Sequence, residues 1–219
     1  MFGNNVIQVL EPLRGKRLME AMNDRVVKHD ILVRLVPFTA DIFVFTYPVY
    51  LCALYVRGIG KKKGYFKYAA LYIFFSAISA AVINMIIQYI TDKSRPETYI
   101  DNKAQLILSH LPTDPFPSDH AAVSAAIAMS TLLRGIRYKD TFFLRLSIFF
   151  RVACGLMSAS RVAVAIHRPT DIVMGVIVGV LSAMILISGN IWKRLKNAVF
   201  KKLIALEKRI FKKVFGVEQ

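Results

Sequence analysis

Residues 37–56, 68–90, 120–133, 142–166 and 170–191 are five runs dominated by Ala, Val, Ile, Leu, Phe and Tyr. A helix on a soluble core needs apolar residues along one stripe, whereas a helix in lipid carries them all round. Crossing the hydrocarbon layer takes about 20 residues, and the run at 120–133 is short by that measure. It is also rich in Ala and Ser, which predicts an inner helix packed closely among the others, starting at the floor of a pocket. A mean hydropathy of +0.46 and an apolar share of 55% fit a membrane protein better than a soluble domain. The expected fold class is all-α: an integral membrane bundle of five to six transmembrane helices. The length suits a single domain over 1–219, with its transmembrane core at 37–191. Gly175 and Gly179 form a GxxxG pair in the last run, which predicts a close helix crossing.

The two ends read differently. Over 1–36, Arg14, Arg17, Glu20, Asp24, Arg25 and Lys28 recur too often for a span, and an amphipathic surface helix fits better. Over 192–219, Leu195, Val199, Leu203, Leu206, Ile210 and Val214 recur every three or four residues among lysines and arginines. That is a basic amphipathic helix expected to meet anionic lipid. The net charge of +16 is concentrated beside the spans, and with no nucleic-acid motif present a nucleic-acid partner is not expected. Arg57 and Lys61–Lys63, then Arg134, Arg137 and Lys139, then the tail from Lys193 fall on one side of a five-span chain. The positive-inside rule makes that side cytoplasmic. The expected location is a bacterial inner membrane, with the opposite face turned to the periplasm or outside. No cleavable signal peptide is expected, because residues 1–30 lack a continuous apolar core. Cys52 and Cys154 read as small apolar residues, not as a disulfide framework or a metal site. Nothing in the sequence marks an oligomeric state.

Three polar segments fall on the outward face: QYITDKSRP (88–96), PSDH (117–120) and SRVAVAIHRPTD (160–171). Singly, each has an ordinary explanation. Arg95 fits a snorkelling anchor, Ser118 a helix N-cap, Pro169 a helix-start proline and Asp171 a favourable first-turn acid. His29 and His110 read as surface residues. Together, two arginines, two histidines, a serine and an aspartate at one membrane face point to function, because polar groups at membrane depth are costly. Their chemistry suits phosphoryl transfer. Arginines bind phosphate oxygens through bidentate, charge-assisted bonds. A serine hydroxyl and backbone N–H groups at the start of a helix form an anion site. One histidine can attack phosphorus, a second can protonate the leaving oxygen, and an aspartate can hold the attacking ring. No metal or cofactor is called for, since the cationic side chains supply the electrostatic stabilisation.

These segments resemble the signature of the type 2 phosphatidic acid phosphatase superfamily: KxxxxxxRP, PSGH and SRxxxxxHxxxD. Ser160, Arg161, His167 and Asp171 match every fixed position of the third motif. Pro117, Ser118 and His120 match three of four in the second, and Arg95 and Pro96 match the end of the first. Two positions depart: Gln88 stands at the first-motif lysine, and Asp119 where glycine is usual. The PSDH form is similar to that of bacitracin-resistance undecaprenyl-diphosphate phosphatases.

The resemblance implies a metal-independent lipid phosphatase acting on a membrane lipid phosphate or diphosphate, undecaprenyl diphosphate first. Lipid A 1-phosphate, phosphatidylglycerol phosphate and lipid-to-lipid phosphotransfer remain alternatives, as does a non-catalytic lipid-binding or transport protein. It further implies that His167 is the nucleophile, that Asp171 orients it, and that His120 protonates the leaving group and then activates water. Arg95, Arg161, Ser118, the Asp119 N–H and Gln88 would bind the phosphate. The loop 97–116 reads either as a lid or lipid-access lip, or as a plain connector. Arg151, mid-span, suggests internal pairing or snorkelling and no function.

Overall fold

A computed structural model of the protein describes residues 13–59, 64–91 and 116–215. Arg95, His110 and the loop 97–116, apart from Phe116, lie outside the described residues. The described chain is helical, with no strand: α1 (Leu13–Val27), α2 (Asp30–Arg57), α3 (Gly64–Thr91), α4 (Asp119–Tyr138), α5 (Thr141–Ala163), α6 (Pro169–Ile187), α7 (Gly189–Leu195), a π-helical turn (Lys196–Phe200) and α8 (Lys201–Phe215).

Helices α2, α3, α5 and α6 are long and apolar enough to cross a membrane. The protein is an integral membrane protein. The fifth core helix, α4, differs because of its composition. Ala121, Ala122, Ser124, Ala125, Ala126, Ala128 and Ser130 are all buried, and α4 packs against α6, α5 and α3. Small side chains let three neighbours approach one helix from several sides. It runs past the apolar run to Tyr138, where Lys139 takes a left-handed conformation (φ 51°). Asp140 then caps α5 by accepting from the Phe142 N–H at 2.9 Å.

The GxxxG pair makes the closest crossing. A Cβ added at Gly175 would lie 2.5 Å from the Ser118 carbonyl oxygen, and one at Gly179 2.2 Å from that of Ala122. The two glycines therefore set the separation of α6 from α4, as the small-residue spacing implies.

The described part of the N-terminal segment, from Leu13, divides at His29, whose extended backbone separates α1 from α2. Helix α2 begins at Asp30, before the apolar run, and continues through Pro37 and Pro48. Helix α1 lies at the motif-bearing end of the bundle. Its Met19 clusters with Ala121, Val162, Ala165 and Ile172, and the Asn23 amide donates to the Ala163 carbonyl at 2.9 Å.

The opposite end is basic, and part of that charge is structural. Arg57 lies over the rings of Phe66 and Phe142 at 4.7 and 4.6 Å. Buried Arg134 sits against Tyr65, Tyr138 and Trp192 and donates to the Tyr65 carbonyl at 3.0 Å. Buried Lys67 pairs with Glu207 of α8 at 2.7 Å, and the Tyr55 hydroxyl donates to the same carboxylate at 3.3 Å. With Trp192 and Phe200 also in the core cluster, the C-terminal segment is anchored to the bundle and does not merely lie beside it. Arg151 is exposed and its Nε donates to the Ser147 carbonyl of its own helix at 3.1 Å. Cys154 is buried, whereas Cys52 is exposed on the outside of α2.

Candidate active site

Among the described residues, the motifs fall at the ends of α3 and α5 and the starts of α4 and α6. Ser118 precedes α4, and its N–H donates to the Asp171 carbonyl at 3.0 Å, tying the start of α4 to the start of α6. The Ser118 hydroxyl is fully buried, yet makes no hydrogen bond among the described residues. A buried hydroxyl without a partner demands an explanation, because desolvating it costs about 1–3 kcal/mol. At a helix N-terminus, where unbonded N–H groups and the helix dipole favour negative charge, an anion would satisfy it.

The third motif wraps the turn from α5 into α6. Arg161 is buried in the last turn of α5. The chain leaves the helix at Ala163, and Ala165 adopts φ 62°, a left-handed conformation that L-residues seldom hold without support. That turn ends α5 short of the apolar run and delivers His167 to the site, buried at 5% exposure. Proline at 169 starts α6, and Asp171, fully buried, accepts from the Arg168 N–H at 2.8 Å. His167 Nδ1 lies 4.0 Å from Asp171 Oδ2. This is ion-pair range but longer than a hydrogen bond, and such contacts commonly tighten once substrate binds.

Gln88 bonds to the turn that leads into α4. Its amide donates to the Pro117 carbonyl at 2.9 Å and to Asp119 Oδ1 at 3.2 Å. One turn earlier, buried Asn84 donates to the same two oxygens at 2.9 and 2.6 Å. The two departures from the family pattern therefore touch each other. An acid in place of glycine brings a carboxylate to the turn before α4, and two neutral amides draw it toward α3. Asn84 was not singled out in the sequence, where an amide inside a span reads as one polar residue among many.

A second residue the motifs do not predict is Asp41, on α2. Its Oδ1 accepts from Arg161 Nη1 at 2.8 Å and lies 3.5 Å from His120 Nε2. Beside it, the Thr39 and Ser160 hydroxyls bond at 2.6 Å. The available signal was an ionisable residue inside a span, a rare and usually functional occurrence. The structure thus gathers Gln88, Ser118, Asp119, His120, Arg161, His167 and Asp171 at one end of the bundle. Arg95 falls outside the described residues.

Residues 69–194, more than half of the chain, match the family model of the PAP2 superfamily. The chain belongs to the PAP2 superfamily. It is thereby an enzyme of the lipid-phosphatase class. Over 153 residues it is 24% identical to the undecaprenyl-diphosphatase BcrC of Bacillus subtilis (strain 168), an alignment covering 70% of this chain and 72% of that protein. Its fold is similar to the crystal structure of Aquifex aeolicus LpxE, with a TM-score of 0.61, 17% identity, and coverage of 80% of this chain and 95% of that one. It is also similar to the transmembrane PAP2-type phosphatidylglycerolphosphate phosphatase from Bacillus subtilis, with a TM-score of 0.58, 17% identity, and coverage of 84% and 90%. The PAP2 match begins inside α3, so α1 and α2, including Asp41, lie outside it.

Proposed function

We propose that this PAP2 enzyme removes a phosphate from undecaprenyl diphosphate, without a metal, through a phosphohistidine at His167. The buried Ser118 hydroxyl at the start of α4, without a hydrogen bond among the described residues, carries this reading: it suits an anion, and the Ser118 N–H is bonded to Asp171, whose carboxylate lies 4.0 Å from His167. Asp171 lies on the Nδ1 side of His167, which leaves Nε2 to attack. Nε2 forms a bond to phosphorus as the P–O bond to the lipid breaks, and the leaving oxygen takes a proton from His120. His120 then draws a proton from water, whose oxygen bonds to phosphorus as the P–N bond to His167 breaks, releasing phosphate and the free imidazole. Arg161, Ser118, the Asp119 N–H and Arg95 hold the phosphoryl oxygens. The choice of lipid rests on the PSDH segment and on the BcrC relative.

The test is phosphate release by the purified protein in detergent with EDTA present, offered undecaprenyl diphosphate, phosphatidylglycerol phosphate and lipid A in parallel. The expected result is fastest release from undecaprenyl diphosphate, inhibited by vanadate, a mimic of the five-coordinate transition state. Preference for another lipid would move the substrate assignment. A requirement for a divalent ion, or no release from any lipid, would sink the mechanism.

We further propose that the enzyme sits in a bacterial inner membrane with a defined orientation. The site opens outward, and the tail, with Lys201, Lys202, Lys208, Lys212 and Lys213 on α8, meets anionic lipid on the cytoplasmic side. A cysteine placed at Lys212, in a variant lacking Cys52 and Cys154, should react with an impermeant maleimide only after cells are opened. Labelling of intact cells would reverse the orientation.

A further inference from the structure

We infer that Asp41 is a positioning residue of the active site, supplied by a helix that the motif signature does not include. The inference rests on the phosphatase reading of His120 and Arg161 given above. The observation is one carboxylate oxygen shared between two proposed participants in the reaction. Asp41 Oδ1 is 2.8 Å from Arg161 Nη1 and 3.5 Å from His120 Nε2. The Ala40 carbonyl accepts from the same Arg161 nitrogen at 3.5 Å.

Burial decides what this carboxylate does. The Arg161 side chain is 2% exposed, whereas those of Asp41 and His120 are 40% and 31% exposed. A guanidinium stays ionised in proteins, so a buried one needs a nearby negative charge to offset its desolvation. Asp41 supplies such a charge at Nη1. Because the guanidinium is planar and rigid, two directed bonds from Nη1, to Asp41 and to the Ala40 carbonyl, orient the plane of the group and its remaining N–H donors. The same oxygen lies within ion-pair reach of His120, the imidazole that must give a proton to the leaving oxygen, and so bears on where that ring sits. Asp41 thus links the phosphate-holding cation to the proton donor and holds the two at a set separation. The Thr39–Ser160 hydroxyl bond joins α2 to α5 beside them.

The experiment compares Asp41→Asn, Asp41→Glu and Thr39→Ala, with wild type and His167→Ala as references, on whichever lipid of the panel wild type turns over fastest. Asparagine keeps the shape and the acceptor for Arg161 but removes the charge. The expected result is a kcat lower by roughly 10- to 100-fold with KM within about threefold, since a positioned acid contributes about 10²–10⁴ in rate. Asp41→Glu should recover part of that loss, and Thr39→Ala should keep kcat near wild type. A kcat for Asp41→Asn within twofold of wild type would overturn the inference. So would a fall in KM at unchanged kcat, which would make Asp41 an internal anion that substrate displaces. A melting temperature lowered in both Asp41 variants with kcat retained would make it a structural ion pair, again overturning the inference. Wild-type turnover lost in His167→Ala but retained in Asp41→Asn would refute this assignment alone. Absence of wild-type turnover would refute the parent reading together with it.

Discussion

His167→Ala is expected to lower phosphate release by about 10⁴-fold or more, the scale of loss when a covalent nucleophile is removed. The geometry sets this residue apart from its neighbours. It is buried at the turn that Ala165 creates, with the Asp171 carboxylate on one side of the ring. No other described histidine is in that position: His120 faces Asp41 and is partly exposed, and His29 lies at the α1–α2 break. Removing a buried imidazole also leaves a cavity, so the rate alone does not identify the role. Two measurements separate the effects. Helical content and melting temperature in detergent should show a folded variant, since α1, α5 and α6 keep their other contacts at that end. Rapid quenching of wild type with radiolabelled lipid diphosphate should trap a protein-bound phosphoryl group that acid removes and alkali preserves, absent from the variant. A variant that is folded and retains a tenth of the wild-type rate would assign the nucleophile elsewhere.

How far this site was legible in the sequence depends on the range of the interactions involved. The third motif is local: the spacing of Arg161, His167 and Asp171 is decided within one helix–turn–helix, and that turn brings them together. The five core helices were visible as apolar runs, and the inner position of α4 as an excess of Ala and Ser. Helix ends were less legible, because hydropathy does not register a cap. Lys139 in a left-handed conformation and the extended His29 set boundaries that the apolar runs blur.

Contacts between distant segments were the least legible. Asp41 and Arg161 are far apart in sequence, as are Asn84 and Asp119, and neither pair has a periodicity that would announce it. Gln88 illustrates the same limit. Its spacing from Arg95 suggested a phosphate donor, whereas in the structure its amide bonds to Pro117 and Asp119. The basic loops show a further kind of ambiguity. A count of lysines and arginines treats all of them as topological signal, but Arg57 and Arg134 are also held by aromatic rings, and Lys67 by Glu207.

Gly179→Ala should be the most destabilising single-methyl change in the α4–α6 contact. The added Cβ would lie 2.2 Å from the Ala122 carbonyl oxygen, 2.8 Å from the Ala126 nitrogen and 2.9 Å from the Ala125 Cβ. Two of these three atoms are backbone of a buried helix, so no rotamer change relieves the overlap, and α6 must move as a whole. Overpacking of this kind costs about 1–3 kcal/mol, a melting-temperature fall of roughly 2–12 °C in a chain of this size. Gly155→Ala is the matched control, because nothing lies within 4 Å of its added Cβ. It should leave stability unchanged or slightly raised, as alanine is the better helix former. Gly175→Ala tests whether the seam and the site are coupled. Its Cβ would press on the Ser118 carbonyl at 2.5 Å, and the Ser118 N–H is bonded to Asp171. Gly175→Ala should therefore lose activity beyond what its stability loss explains, whereas Gly179→Ala, one turn deeper, should lose mainly stability. Equal kcat values in the two variants, each measured well below its melting temperature, would show that the seam carries the bundle without setting the geometry at Ser118.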